Sequence, residues 1–193
     1  MTFARRSPKK PLEPLKPLNE TGLYDYAVKA LGRRMRTEAE LRRLMHKRVE
    51  PGERGEQVIT AVIAQLKERR YLDDQSYAET YARLRQTNEK FGQRRVRQDL
   101  RQKGVAAHLV EQTISASYSE TNEETLARQH LERKRIAQPT NEKETARVMR
   151  RLVAAGFSTG TIYKILRQWD VPDESLAALD NIGQGLGDEP AEE

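Results

Sequence analysis

Few residues in this chain are able to make or break bonds. Its three histidines, His46, His108 and His130, stand far apart, and none falls in a metal-ligand spacing such as HExxH, so all three are expected on the surface. Cysteine is absent, which removes thiolate nucleophiles, thiolate metal sites and disulfides, and points to a reducing compartment. There is no glycine-rich phosphate loop and no nucleophile elbow. The paired carboxylates Asp73 and Asp74 stand where a helix begins, and capping accounts for them. No catalytic residue, metal site or cofactor is expected, and the chain is not expected to be an enzyme.

The chemistry that remains is anion binding. From Arg83 to Lys103 there are eight basic residues, Arg83, Arg85, Lys90, Arg94, Arg95, Arg97, Arg101 and Lys103, against Glu89 and Asp99. Such an excess faces a polyanion more readily than a core. With Val96 and Leu100 turned inward, about 100° per residue puts Arg94, Arg97 and Arg101 on one flank of their helix. The candidate binding residues are these three with Lys103, and Arg42 and Arg43 on the corresponding helix upstream. An ordinary solvated face would present the same charges. Downstream the matching positions are Ala146, Met149 and Val153, an apolar stripe expected to be buried packing.

The elements that carry these residues are helices. Tyr24, Ala27, Val28, Leu31 and Met35 recur at helical spacing, and Thr37 with Glu40 reads as a capping box opening a helix with Leu41, Leu44 and Met45 inward. After the Pro51-Gly52 break, Val58, Ile59, Val62, Ile63 and Leu66 form the strongest amphipathic stripe. Tyr77, Tyr81 and Leu84 mark a helix over 75–88, followed by helices over 93–103 and 106–117. Three more are predicted over 121–135, 142–155 and 158–169. The second helix of each group superposes on the next: Leu41, Val96 and Val148 coincide, as do Met45, Leu100 and Leu152, with offsets of 55 and 52 residues. Val49, Gly104 and Gly156 coincide too, so the first unit lacks the glycine that ends this helix in the others.

Composition agrees with exposed amphipathic helices: 193 residues, 33% charged, 36% hydrophobic and 6% aromatic. The net charge of +6 is uneven, with +4 on Met1–Asn19 and −7 from Val171 onward. Pro8, Pro11, Pro14 and Pro17 recur every third residue, the period of polyproline II. The organisation expected is a basic proline-rich tail over 1–20, three-helix repeats over 21–72, 73–119 and 120–170, and an acidic disordered tail over 171–193. The fold class is all-α: three tandem three-helix repeats in an elongated curved body, with disordered N- and C-terminal tails. No apolar run approaches the ~20 residues that span a bilayer and no signal peptide is visible, so a cytoplasmic monomer is expected.

Tyr71-Leu72-Asp73-Asp74, Tyr77-Ala78, Tyr81, Phe91-Gly92, Val96, Leu100 and Lys103-Gly104-Val105, in that order after a helix end, resemble the middle repeat of the RecX family. Weaker likeness runs from about Tyr24 to Trp169. The resemblance implies three tandem three-helix repeats and a modulator of the RecA recombinase that docks in the groove of a RecA filament on single-stranded DNA, spans neighbouring protomers and slows ATP hydrolysis and strand exchange. Contact with bare single- or double-stranded DNA is expected to be weak and non-specific, because Lys and Arg would meet phosphate. Arg70 departs from the pattern, because the family often has glycine before this tyrosine. Two other readings stand beside this one. Val148–Leu166 has the layout of a helix-turn-helix, which would make the chain a DNA-binding transcriptional regulator, although Ser158, Thr159, Gly160 and Thr161 offer only short hydroxyls to bases. The other is a helical adaptor without nucleic-acid contact.

Overall fold

A computed structural model describes residues 16–171. The expected tails fall outside these residues, save for 16–20 and Val171. Among the described residues the regular structure is entirely helical: α1 Glu20–Arg33, α2 Glu38–Met45, α3 Glu53–Glu68, α4 Asp74–Leu84, α5 Gln93–Gln102, α6 Ala107–Tyr118, α7 Glu123–Arg133, α8 Glu142–Ala154 and α9 Thr159–Gln168. Five helices begin on a side chain that accepts a backbone N–H three residues on: Asn19, Asp73, Asn122, Asn141 and Ser158. The neighbouring Asp74 instead accepts the N–H of Glu38, at 2.8 Å.

Five helices also end alike. After α3, α5, α7, α8 and α9 one residue turns left-handed: Arg70, Gly104, Arg135, Gly156 and Asp170. The N–H of the next residue, Tyr71, Val105, Ile136, Phe157 or Val171, then reaches back to the carbonyl of Leu66, Leu100, Leu131, Leu152 or Leu166. This is a Schellman closure, and the leucine is a buried core residue each time. The first unit needs no glycine at Val49 because α2 runs into a 3-10 turn, His46–Arg48, and Val49 leaves it extended at φ −118°. Arg70 has no such escape, since its φ is 57°. Arg70→Gly is expected to stabilise the first unit by about 1 kcal/mol, because glycine adopts this conformation without a Cβ clash. Arg69→Gly, at φ −84°, should gain nothing. Denaturation midpoints of the two variants check this, and equal midpoints would remove the strain from Arg70.

Each set of three consecutive helices closes on its own core. The first holds Leu23, Ala27, Leu41, Met45, Ile59, Val62, Ile63 and Leu66. The second holds Tyr77, Ala78, Ala82, Val96, Leu100, Val105, Val110 and Ile114. The third holds Leu126, Leu131, Val148, Met149, Leu152, Phe157, Ile162, Ile165 and Leu166. Met149 is fully buried there, with Ala146 and Val153 packed beside it, so the apolar stripe of α8 is internal packing. By contacts the chain divides into two compact units: one contains Glu40–Leu72 and the α1 region up to Met35, the other Arg36–Ala39 and everything described from Asp73 on.

Two expected core positions are exposed. α1 stops at Arg33, which leaves Met35 off the stripe and 50% exposed. α4 stops at Leu84, four residues short of the expected end, and a π turn over Arg85–Glu89 follows, closed by left-handed Lys90. Leu84 is left half exposed where the regular helix gives way. His130 is not a surface histidine. The residue is 4% exposed, and its ring lies 5.8 Å from both the Phe91 and Phe157 rings, with Nδ1 3.0 Å from the carbonyl of Glu89. Burial pushes its pKa below the usual imidazole value, against the pull of the Glu89 carbonyl, so the ring is neutral at pH 7.

Within the second compact unit the two three-helix sets are tied backbone to backbone. The N–H of Gly92, just before α5, donates to Ala155 O at 2.8 Å, and that of Arg94 to Gly156 O at 3.3 Å. Phe91 and Tyr118 pack against both cores, and the Tyr118 hydroxyl donates to the Phe91 carbonyl. This junction fixes the start of α5, the helix that carries three of the six candidate binding residues.

Candidate functional site

The rotation of α5 is set by Val96 and Leu100, both fully buried. That places Arg94 and Arg101 outward and Arg97 at the edge of the packing against α6. Two of these arginines meet a residue that no motif or periodicity singles out. Arg97 Nε lies 3.2 and 3.1 Å from the two carboxylate oxygens of Glu111 on α6, and Arg101 Nη2 lies 2.9 Å from one of them. The flank is therefore a row of guanidiniums, two of which share the Glu111 carboxylate. Arg94 lies at the α5 start, and its charge helps to hold the Glu123 carboxylate ionised.

The opposite side of α5 carries a second cluster. The rings of Tyr77 and Tyr81 stack with centroids 6.0 Å apart. Lys103 Nζ lies 5.3 Å from the Tyr81 centroid and 6.0 Å from that of Tyr77, and the Arg85 guanidinium lies 4.9 Å from Tyr81. Cations this close to aromatic rings are attracted by the ring quadrupole. The Tyr81 hydroxyl donates to Asp99 at 3.0 Å, and Arg95 Nε stands 3.0 Å from the other Asp99 oxygen without its N–H aimed at it. Burial raises the Tyr81 pKa, the Arg85 contact lowers it less, and the phenol stays protonated. Lys103 thus has aromatic partners, and Arg94, Arg97, Arg101 and Lys103 share one helix and its end. Arg42 and Arg43 sit on α2 in the other compact unit, Arg42 partly buried and Arg43 exposed.

The helix-turn-helix segment offers less than its layout suggested. The Ser158 N–H and hydroxyl both donate to Glu123, and the Thr161 hydroxyl donates to the same carboxylate at 2.6 Å. Burial raises the pKa of Glu123, but these hydrogen bonds together outweigh it and hold the carboxyl below its usual value. Two of the three hydroxyls that would have to read bases, those of Ser158 and Thr161, are occupied at the start of α9.

Among the described residues no group of three or more His, Asp or Glu is arranged to hold a metal, and no helix is long and apolar enough to cross a membrane. A cavity of about 390 Å³ lies in the first unit, lined by residues that include Leu18, Asn19, Val49, Glu50, Arg54 and Val58. None of the candidate cations lines it. What the α5 surface can do is hold anions by charge and by forked N–H donors.

A family model described as the second three-helix domain of RecX matches residues 73–114, the span from the start of α4 into α6. The regulatory protein RecX of Myxococcus xanthus is 32% identical over 174 residues, covering 83% of this chain and 90% of that protein. That of Cronobacter sakazakii is 34% identical over 156 residues, covering 77% and 92%. The RecX of Geobacillus thermodenitrificans is longer: 32% identity over 148 residues covers 74% of this chain and 52% of that protein. Among solved structures, a regulatory protein RecX superposes with a TM-score of 0.59 at 24% identity, over 77% of this chain and 71% of that one. RecX from Lactobacillus salivarius gives 0.56 at 23% identity, over 78% and 96%. These structures share the helical fold.

Proposed function

The chain belongs to the RecX family of regulatory proteins, and on that premise we propose that it regulates the RecA recombinase by docking on RecA filaments assembled on single-stranded DNA and slowing their ATP hydrolysis and strand exchange. The observation that carries the reading is the guanidinium row on α5, inside the segment that matches the family's second domain. The protein acts by occupancy, as a cytoplasmic monomer and not as an enzyme, in the DNA-repair and SOS setting of its partner. Three three-helix repeats, each presenting modest contacts to neighbouring protomers, accumulate affinity along a filament while each contact stays weak. Bare DNA is bound weakly and with little sequence preference, because contacts from Lys and Arg to phosphate carry no base information. The transcriptional-regulator reading loses support from the tethering of Ser158 and Thr161 to Glu123.

The test is the ATPase rate of RecA on single-stranded DNA with and without the protein. The variant that probes the surface is Arg94→Gln, Arg97→Gln and Arg101→Gln together, since glutamine removes charge without setting a second carboxylate against Glu111. Exposed charges contribute about 1 kcal/mol or less each, so losing three should raise the concentration needed for half-inhibition about tenfold or more. Circular dichroism should show an unchanged helical spectrum. Unaltered RecA turnover at saturating wild-type protein would end the proposal, whereas a folded triple variant as potent as wild type would move the docking surface off α5.

A further inference from the structure

Resting on that reading of the α5 flank, we infer that Glu111 is a built-in competitor for the docking surface, occupying a seat made for a backbone phosphate of single-stranded nucleic acid. Arg97 and Arg101 are four residues apart on α5, so their guanidiniums leave the helix one turn apart on the same side. Both converge on a single two-oxygen anion: Arg97 Nε lies within 3.2 Å of both Glu111 oxygens, and Arg101 Nη2 lies 2.9 Å from one of them. A phosphodiester offers the same pair of oxygens to the same forks.

The seat is open to exchange. The side chains of Glu111 and Arg101 are 49% and 59% exposed, so the carboxylate can swing out to solvent without uncovering a core. An ion pair this exposed is weak and is readily displaced. Arg94, exposed and three residues before Arg97 on the same flank, extends the row toward the α5 start. A row of cations along one helix suits a polymer that carries one anion per repeat unit, and nucleic acid does so at a regular interval, whereas carboxylates on a peptide have no such register. In the resting protein Glu111 then suppresses casual binding to loose polyanions, and a partner that engages further contacts supplies what is needed to displace it.

The experiment uses the full chain and a labelled thymidine oligonucleotide of about 20 nucleotides at low salt. Glu111→Gln should tighten binding about fivefold, whereas Glu120→Gln, the same charge change at an exposed position without a side-chain partner in the row, should tighten it less than about twofold. Glu111→Asp keeps the net charge but draws the carboxylate back, and should also tighten binding. In an Arg97→Gln, Arg101→Gln background the Glu111→Gln gain should vanish. The salt dependence should steepen in Glu111→Gln by roughly one ion, because wild-type Glu111 must take up a cation when it is displaced. Glu111→Gln binding no more tightly than Glu120→Gln, or a gain that survives loss of both arginines, overturns the inference. A gain seen with a poly-glutamate peptide and not with the oligonucleotide overturns the phosphate assignment. RecA is absent from this assay, so its outcome is independent of whether the protein slows RecA turnover.

Discussion

Replacing Gly92 by alanine is expected to destabilise the second compact unit by about 3 kcal/mol or more, enough to lower its melting temperature by over ~10 °C. The reason is local and geometric. A Cβ on Gly92 would stand 2.3 Å from Gly156 O, 2.5 Å from Gly156 C and 2.9 Å from Phe157 N, all of them backbone atoms. A methyl group needs more than an ångström of extra room, and a backbone cannot yield it as a flexible side chain can. The two backbone hydrogen bonds at the crossing, Gly92 to Ala155 and Arg94 to Gly156, would be stretched or lost. Gly156→Ala meets the same crossing from the other side, with a Cβ 2.3 Å from Arg95 N and a φ of +90°. Gly160→Ala is the control, because nothing lies within 4 Å of a Cβ there and it sits in the first turn of α9. That change should be neutral or stabilise by up to ~1 kcal/mol. Thermal melts of the three variants decide the matter, and Gly92→Ala melting with Gly160→Ala would mean that the chain does not need this close approach.

The helices were legible because their signals are local. Apolar spacing (Met35 and Leu84 apart), cap residues such as Asp73 and Ser158, and the glycines after α5 and α8 all act within a few residues, and they do in the structure what their chemistry suggests. The period of 52–55 residues was legible for the same reason, since Leu41, Val96 and Val148, or Met45, Leu100 and Leu152, occupy matching buried positions. Features set by partners far along the chain were not legible. Nothing near Gly92 announces Gly156, and a glycine before a basic helix reads as a loop residue until its neighbour is known. His130 looked like a surface residue because its partners, Phe91 and Phe157, lie 39 and 27 residues away in sequence. The π turn escaped because Arg85–Glu89 is polar, and a polar stretch gives no periodicity from which an inserted residue could be read.

The candidate site was legible by half. Rotation about α5 follows from Val96 and Leu100 alone, and it places Arg94, Arg97 and Arg101 on one flank as expected. Sequence did not reveal how those charges are spent. Glu111 binds two of them from another helix, Asp99 stands against Arg95 and takes the Tyr81 hydroxyl, and Lys103 lies over two tyrosines. A count of eight basic residues therefore overstates the cationic surface that a partner meets. Charge counting misses this because an ion pair between helices depends on which faces pack.

Leu100→Asp should abolish the cooperative folding of the second compact unit. Leu100 is 0% exposed, in a core with Tyr77, Ala78, Val96, Val105, Val110 and Ile114. Truncating a buried leucine costs ~2–5 kcal/mol, and a carboxylate placed among these apolar groups adds several more, which together match or exceed the ~5–15 kcal/mol stability of an ordinary domain. The loss should not stop at α4–α6. Phe91 and Tyr118 belong to the packing of both the second and third cores, and the Gly92–Gly156 crossing joins their backbones, so α7–α9 should lose protection in the same transition. The first unit contributes no residue to either core, and amides in α1–α3 should keep more of their protection. Leu84→Asp supplies the contrast: spacing puts Leu84 on the same stripe as Tyr77, yet it is 46% exposed, so the change should cost about 0.5 kcal/mol or less. Hydrogen exchange resolved by segment reads all of this at once. Amides of α4–α6 that stay protected in Leu100→Asp would show that the second core does not depend on Leu100. Exchange confined to α4–α6, with α7–α9 protected as in wild type, would instead show that the crossing joins two bundles that fold separately.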